Sequence, residues 1–302
     1  MIRLVYSKDY AVDIGNHIFP TAKYNRIKER LLKESPLKIK IEFVTPKSSS
    51  DEDILLVHEK NYLDKLKKGT LTDEEIFRLE LPYSKGIVRA ALLCCGGTIL
   101  ASEIALTDRL GIHIGGGFHH AFPDHGEGFC VLNDIAVAVR HMMKIKCVEK
   151  AMIIDCDLHH GNGTSAIFSN DPNVFTFSIH QQNNYPFFKP KSNLDIGLRD
   201  RAGDKEYLRA LYENIPKIIS DFKPDFLIYV AGADPYKDDR IGGLALTKEG
   251  LKKRDEFIFR QAINYTIPIA VVLAGGYAFR EEDTVDIHYN TITTGIKLFY
   301  EK

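Results

Sequence analysis

Five short apolar runs constrain the fold of this chain more than any other feature: Gly111–Ile114, Ala151–Ile154, Val174–Ser178, Phe226–Val230 and Ile267–Leu273. Helical periodicity fills most of the gaps between them, notably over 133–145, 205–220 and 247–264. Buried strands alternating with helices predict βαβ units, and so a mostly parallel sheet with helices on both faces. Upstream, Met1–Lys8 reads as a first strand, 21–35 and 51–68 as charged amphipathic helices, and 86–106 as a more buried helix. The turn Thr45–Asp51 reads as the cap of the helix that begins near Glu52.

The residues at the end of each run narrow the possibilities. Ile114 leads into Gly-Gly-Gly-Phe-His-His, Ile154 into Asp-Cys-Asp-Leu-His-His, and Phe177 into Ser-Ile-His. Val230 leads into Ala-Gly-Ala-Asp and Leu273 into Ala-Gly-Gly-Tyr. Open α/β sheets bind ligands beyond the carboxyl ends of their strands. Five strands that all deliver polar or glycine-rich residues at that end predict an active-site rim.

Length alone, 302 residues, gives a prior of two domains. A rim drawn from position 119 to position 277 argues instead for one domain over 1–302. With 40 basic and 41 acidic side chains the net charge is −1, which excludes a polybasic nucleic-acid or membrane-surface binder. Five cysteines, two of them adjacent and none in a CxxC pair, suggest neither a disulfide framework nor a zinc ribbon and fit a cytoplasmic setting. The longest uncharged, mostly apolar stretches, Ala90–Ser102 and Thr266–Ala278, have 13 residues each, short of the ~20 that span a bilayer.

Eight of the eleven histidines lie between His113 and His180. In Asp155-Cys156-Asp157-Leu158-His159-His160, residues two apart share a face while strand geometry persists, so Asp155, Asp157 and His159 can converge. A carboxylate and an imidazole so spaced form two-thirds of a catalytic zinc site, and Asp234 at another strand end is the natural third ligand. The bland reading is an N-cap aspartate beside a satisfied histidine. The pair His119-His120 can supply the base and acid that hydrolysis at a metal needs, or can be a solvated turn. Gly115–Gly117 match no phosphate-loop spacing and fit close backbone approach to a substrate. Tyr277 can donate to an oxygen that becomes anionic, or can be a packed turn aromatic. Cys130 is either a nucleophile or, as its apolar neighbours favour, a buried structural thiol. His17, His58, His141 and His288 read as ordinary.

Together these motifs resemble the zinc-dependent histone deacetylase family, of the arginase–deacetylase fold. The resemblance lies in GGGFHHAFPDHGEGFCVLNDIAVA (115–138), IIDCDLHHGNGT (153–164), FSIH (177–180), AGADPYKDDRIGGLALTKEG (231–250) and AGGY (274–277). SDEDILLVHEKNYLDKLK (50–67) extends it toward the N-terminus. DRIGGLALTKEGLKKRDEFIFR (239–260), the AGGY ending and the compact length look most like class IV, the histone deacetylase 11 type.

Position by position, the resemblance implies Asp157, His159 and Asp234 as metal ligands, with one Zn2+ expected and Fe2+ as the alternative in vivo. It implies His119 and His120 as the acid/base pair, Tyr277 as the carbonyl-polarising phenol, and Asp155 as the residue that orients His119. Gly128 and Phe129 would line an acyl-lysine tunnel, with Phe187 and Phe188 on its opposite wall. A structural K+ would lie among Asp155, Asp157, Leu158, His159, Ser178 and Ile179. Asn162 departs from class I members, which carry an Asp as partner of the second histidine; an uncharged partner raises that pKa less and makes His120 the neutral base. The implied activity is hydrolysis of Nε-acyl-lysine, acetyl or longer fatty acyl, in proteins or peptides. Rivals are an acetylpolyamine or other small acylated-amine hydrolase, a two-metal arginase-like enzyme using Asp238 and Asp239, and a silent acyl-lysine binding module.

Overall fold

The computed structural model describes residues 1–34 and 40–301. Among them, eight strands form one sheet: β1 (Ile2–Val5), β2 (Ile41–Val44), β3 (Leu110–His113), β4 (Ala151–Asp155), β5 (Val174–Gln181), β6 (Leu194–Leu198), β7 (Phe226–Val230) and β8 (Ile269–Val272). Their order is β2-β1-β3-β8-β7-β4-β5-β6, and every neighbouring pair is parallel. Every residue of β3, β4, β7 and β8 is buried, as a sheet covered on both faces demands.

The cover comes from α1 (Lys23–Glu34), α2 (Asp51–Ile54), α3 (Lys60–Lys68), α4 (Asp73–Leu79), α5 (Lys85–Asp108), α6 (Asp134–Lys144), α7 (Asn162–Phe168), α8 (Asp204–Phe222), α9 (Lys248–Asn264) and α10 (Glu281–Tyr300). The α/β architecture read from the alternating runs is the one observed. Residue 35, the end of the expected first helix, lies outside the described residues.

One expected helix, 51–68, is two. Ser50 caps α2 through the Asp53 N–H, but the chain leaves the helix after Ile54. His58 turns inward there, its Nδ1 3.0 Å from the Phe122 carbonyl and its Nε2 accepting the Asn133 N–H at 3.0 Å, while Glu59 N–H bonds Pro123 O. These contacts to the loop after the tandem histidines outweigh continued helical pairing.

The helix α5 alone, among the described residues, is long and apolar enough to cross a membrane; 61% of its most apolar window is buried inside the fold. It packs on α6, β3 and β8. Its apolar surface is therefore core.

Candidate active site

Adjacent strands set the site level. Asp155 is the register partner of both Ser178 on β5 and Val230 on β7, and Val230 pairs with Val272 on β8. The residues just past β3, β4, β7 and β8 therefore emerge side by side.

Past β4, the Asp157, His159 and Asp234 side chains converge, each buried. His159 Nδ1 lies 3.3 Å from Asp157 Oδ1 and 3.3 Å from Asp234 Oδ2. The outer carboxylate oxygens are held by the backbone: Gly275 N–H donates to Asp157 Oδ2 and Leu158 N–H to Asp234 Oδ1, both at 2.9 Å. Asp234 Oδ2 is left buried without a hydrogen-bond partner. Ligands bonded at about 2.0–2.1 Å in a tetrahedron stand about 3.3–3.4 Å apart, so the three inward atoms fit one cation. Gly275 leaves space beside the cluster: a Cβ there would sit 2.1 Å from Asp234 Oδ2 and 2.7 Å from Asp157 Oδ2.

The charges call for a cation too. Against the cost of burial, Asp157 and Asp234 hold the His159 imidazole up at about 10. Burial, with the charge of Asp157 adding, pushes the Asp234 carboxyl up to about 7. Two carboxylates packed this closely demand positive charge between them.

The tandem histidines follow β3. Asp134, the first residue of α6, accepts the Phe118 N–H at 2.8 Å and the Gly117 N–H at 3.1 Å, and Gly116 and Gly117 adopt φ of +68° and +90°. This turn aims both imidazoles into the site. His119 Nδ1 lies 2.7 Å from Asp155 Oδ2, and its Nε2 lies 3.1 Å from His120 Nε2. Burial works against a charge on His119, yet Asp155 and Asp157 raise it to about 9. Burial and the neighbouring His119 and His159 push His120 well below its ordinary value. One imidazole is held cationic and its neighbour neutral.

Tyr277 stands at the other side, its ring 6.0 Å from Phe129, both lining the cavity that holds the tandem histidines, Asp157 and His159. Its backbone is fixed by Asp239, which accepts the Tyr277, Ile241 and Gly242 N–H groups. Asp239 is thus tied to the backbone through both oxygens, and His160 turns the other way, its Nε2 3.0 Å from Asp195 Oδ1. Gly128 and Phe129 line the cavity mouth, with φ of +53° and +66°.

Phe187 and Phe188 do not form the opposite wall: they are 105% and 73% exposed. Tyr185 takes that place, its ring 5.0 Å from His120 and 6.2 Å from His159. Ser178 and Asp155 do meet, but the Ser178 hydroxyl lies 3.0 Å from His180 Nδ1 and Leu158 O accepts the Gln181 N–H. Cys130 is buried, and burial pushes its thiol well up, away from nucleophile chemistry.

Supporting residues went unread in the sequence. Arg254 on α9, fully buried, donates Nη1 to Gly232 O at 2.7 Å and Cys156 O at 3.2 Å, bracing the segments that carry Asp234 and Asp157. Lys23 on α1 donates to Ala274 O at 2.5 Å beside Gly275, and burial lowers its ammonium to about 8. A buried cation inside an ordinary amphipathic helix pattern gives no sequence signal.

The sequence profile of the histone deacetylase domain matches residues 17–290. The chain belongs to the histone deacetylase domain family, and is a hydrolase acting on amides. It is 38% identical over 286 residues to an uncharacterised protein of Picosynechococcus sp., covering 94% of this chain and 95% of that one. It is 31% identical over 290 residues to histone deacetylase 2 of Arabidopsis thaliana, covering 91% of this chain and 74% of the relative. The crystal structure of the HDA15 HD domain superposes with a TM-score of 0.80 at 22% identity, covering 100% of this chain and 91% of that one, a likeness of fold.

Proposed function

We propose that residues 1–302 form one catalytic domain that hydrolyses Nε-acyl-lysine with a single metal ion, Zn2+ or in vivo Fe2+. The observation that carries this reading is the inward set Asp157 Oδ1, His159 Nδ1 and Asp234 Oδ2 facing a cationic and a neutral histidine across one cavity. When bound, the ion supplies Lewis acidity toward the amide carbonyl and toward water. His120, neutral with Asn162 on Nδ1, takes the proton of the attacking water at Nε2. His119, kept charged by Asp155, gives a proton to the departing lysine amine. The Tyr277 hydroxyl donates to the carbonyl oxygen as it becomes anionic. A structural K+ beside Asp155 and Ser178 rests on the family resemblance alone.

The acyl group is read from a second cavity. Tyr10, Val12, Ile14, Ile87 and Cys94 line an apolar cavity of about 50 Å³ that shares Phe19, Phe118 and Phe129 with the catalytic cavity. That continuity supports a long fatty acyl chain, in keeping with the class IV-like stretch 239–260. Each methylene buried there is worth about 0.8 kcal/mol, roughly fourfold in kcat/KM. A panel of lysine peptides from acetyl to myristoyl, with and without chelator, tests both parts: a rising series supports the long chain, a preference for acetyl sinks it, and turnover that survives metal removal sinks the mechanism. A second reading, a small acylated amine, draws on Glu80 and Glu127 near the mouth, where two carboxylates suit a polycation. Faster turnover of acetylspermidine than of any peptide would favour it.

A further inference from the structure

Behind His120 the polar contacts run on to a carboxylate that no sequence motif brought to notice. His120 Nδ1 lies 2.6 Å from Asn162 Oδ1, and Asn162 Nδ2 lies 2.6 Å from Glu127 Oε1. The Tyr185 hydroxyl donates to that same oxygen at 2.9 Å, and His125 Nε2 lies 3.5 Å from the other. Asn162 and His120 are buried, and the Glu127 side chain is 19% exposed.

The order of donors is set by the carboxylate at the far end. An ionised carboxylate only accepts, so Glu127 compels Asn162 to turn its NH2 outward and its carbonyl toward His120. That carbonyl also only accepts, so His120 Nδ1 carries the proton and Nε2 bears the lone pair, which faces His119 Nε2 at 3.1 Å. Burial works against the charge of Glu127, but hydrogen bonds from His125, Asn162 and Tyr185 hold its carboxyl below the usual range.

We propose that Glu127 is a positioning residue that acts on His120 through Asn162, fixing the tautomer of the base and stabilising the imidazolium that forms when it takes a proton. The inference rests on the reading of His120 as that base. The interposed amide distinguishes the two adjacent histidines by geometry: His119 touches its carboxylate directly at 2.7 Å, whereas His120 meets its carboxylate through a neutral spacer. A carboxylate in place of Asn162 would erase that difference.

The test moves the charge without changing shape. Glu127→Gln retains both acceptor contacts and should lower kcat by about tenfold, the low end for a partner that orients a catalytic group, with KM within about twofold and metal content unchanged. Asn162→Asp alone sets two carboxylates face to face and should lower kcat further. The double variant Asn162→Asp with Glu127→Gln returns one charge to the pair and should recover at least about tenfold over Asn162→Asp. A scaffold role for Glu127 predicts no recovery, since the double variant carries both lesions. In metal-free protein, the His120 Nδ1–H proton resonance, assigned by its absence in His120→Gln, should move upfield in Glu127→Gln. Wild-type kcat in Glu127→Gln, an unrecovered double variant, or an unmoved resonance each overturns the proposal. His120→Gln separates the two readings: if it is inactive while Glu127→Gln is unaffected, the relay alone fails, and if His120→Gln is itself active, the base assignment fails.

Discussion

His159 and His160 are neighbours in sequence and belong to two different clusters of the same residue types. His159 joins Asp157 and Asp234; His160 joins His180 and Asp195, and in each group one ligand atom per residue lies within 4.8 Å of the others. In the first group the carboxylates are 2% and 0% exposed, and Asp234 Oδ2 has no hydrogen-bond partner. In the second, the Asp195 side chain is 30% exposed, accepts His160 Nε2 at 3.0 Å, and takes the Ser192 N–H at 2.9 Å on its other oxygen. The His160 and His180 rings stack edge to face at 4.7 Å. Donor types are alike, but the first cluster leaves a carboxylate oxygen without a hydrogen-bond partner, whereas in the second both Asp195 oxygens are taken and the unpartnered atom is His160 Nδ1. An unpartnered buried carboxylate oxygen, rather than proximity of His and Asp, sets the first cluster apart as the candidate metal centre.

Removing that carboxylate should have the largest effect. Asp234→Asn is expected to lose bound metal on dialysis and to lower turnover by at least about 10³-fold, more than one oxyanion donor contributes. Gly275→Ala should reproduce the loss with every proposed ligand still in the sequence, because its Cβ would press against Asp234 and Asp157. Metal analysis and a deacylation assay on the same samples check both. A metal-loaded, active Asp234→Asn enzyme would dissolve the contrast between the clusters.

Tyr277→Phe should come next, with kcat down about 10²–10³-fold and metal content intact. Full activity in that variant would remove Tyr277 from the reaction and leave the two carboxylates and histidine as the whole of the distinguished region.

The same contrast explains how much of the molecule is legible in its sequence. The candidate cluster is legible because its members follow the ends of buried apolar strands, where Asp, His and Tyr stand out against the run of side chains. The central strands β3, β4, β7 and β8 are legible for the same reason. The edge strands β2 and β6 are not: Ile-Glu-Phe-Val and Leu-Asp-Ile-Gly-Leu are partly covered and carry no apolar run. The last helix, α10, is hidden because it buries Thr284, Thr291, Thr293 and Thr294 in place of aliphatic residues, which blurs its 3.6-residue period. Tyr185 and Glu127 escape notice because each lies in a loop, where position is decided by packing partners far away in sequence. Phe187 and Phe188 mislead because large aromatics suggest a lining; the loop points them outward and turns Tyr185 in.

For the second cluster the contrast predicts a structural loss only. Asp195→Ala leaves His160 Nε2 buried without its acceptor and should cost about 1–3 kcal/mol in urea unfolding, with metal content and kcat unchanged. If wild-type protein instead carries two ions per chain and the variant one, the second cluster is a metal centre as well.

The smallest effect should be one of acidity, and it has a definite sign. Burial, aided by the charge of His160, lowers His180 from 6.5 to about 3, while Asp195 pulls the other way and Lys189 and His119 add to the lowering. Because the folded value is the lower one, an unfolded chain takes up a proton below pH 6.5 that the folded chain refuses. The stability tied to neutral His180 is therefore present above about pH 6.5 and is lost as pH falls toward 3. One refused proton steepens the decline by at most about 1.4 kcal/mol per pH unit. Urea unfolding of metal-free wild type and His180→Gln between about pH 6 and pH 4 should show the shallower slope in the variant, by up to that amount. Parallel slopes would mean that His180 is protonated in the folded state, with Asp195 acting on it as Asp157 and Asp234 act on His159, and the two clusters would then differ only in access to solvent.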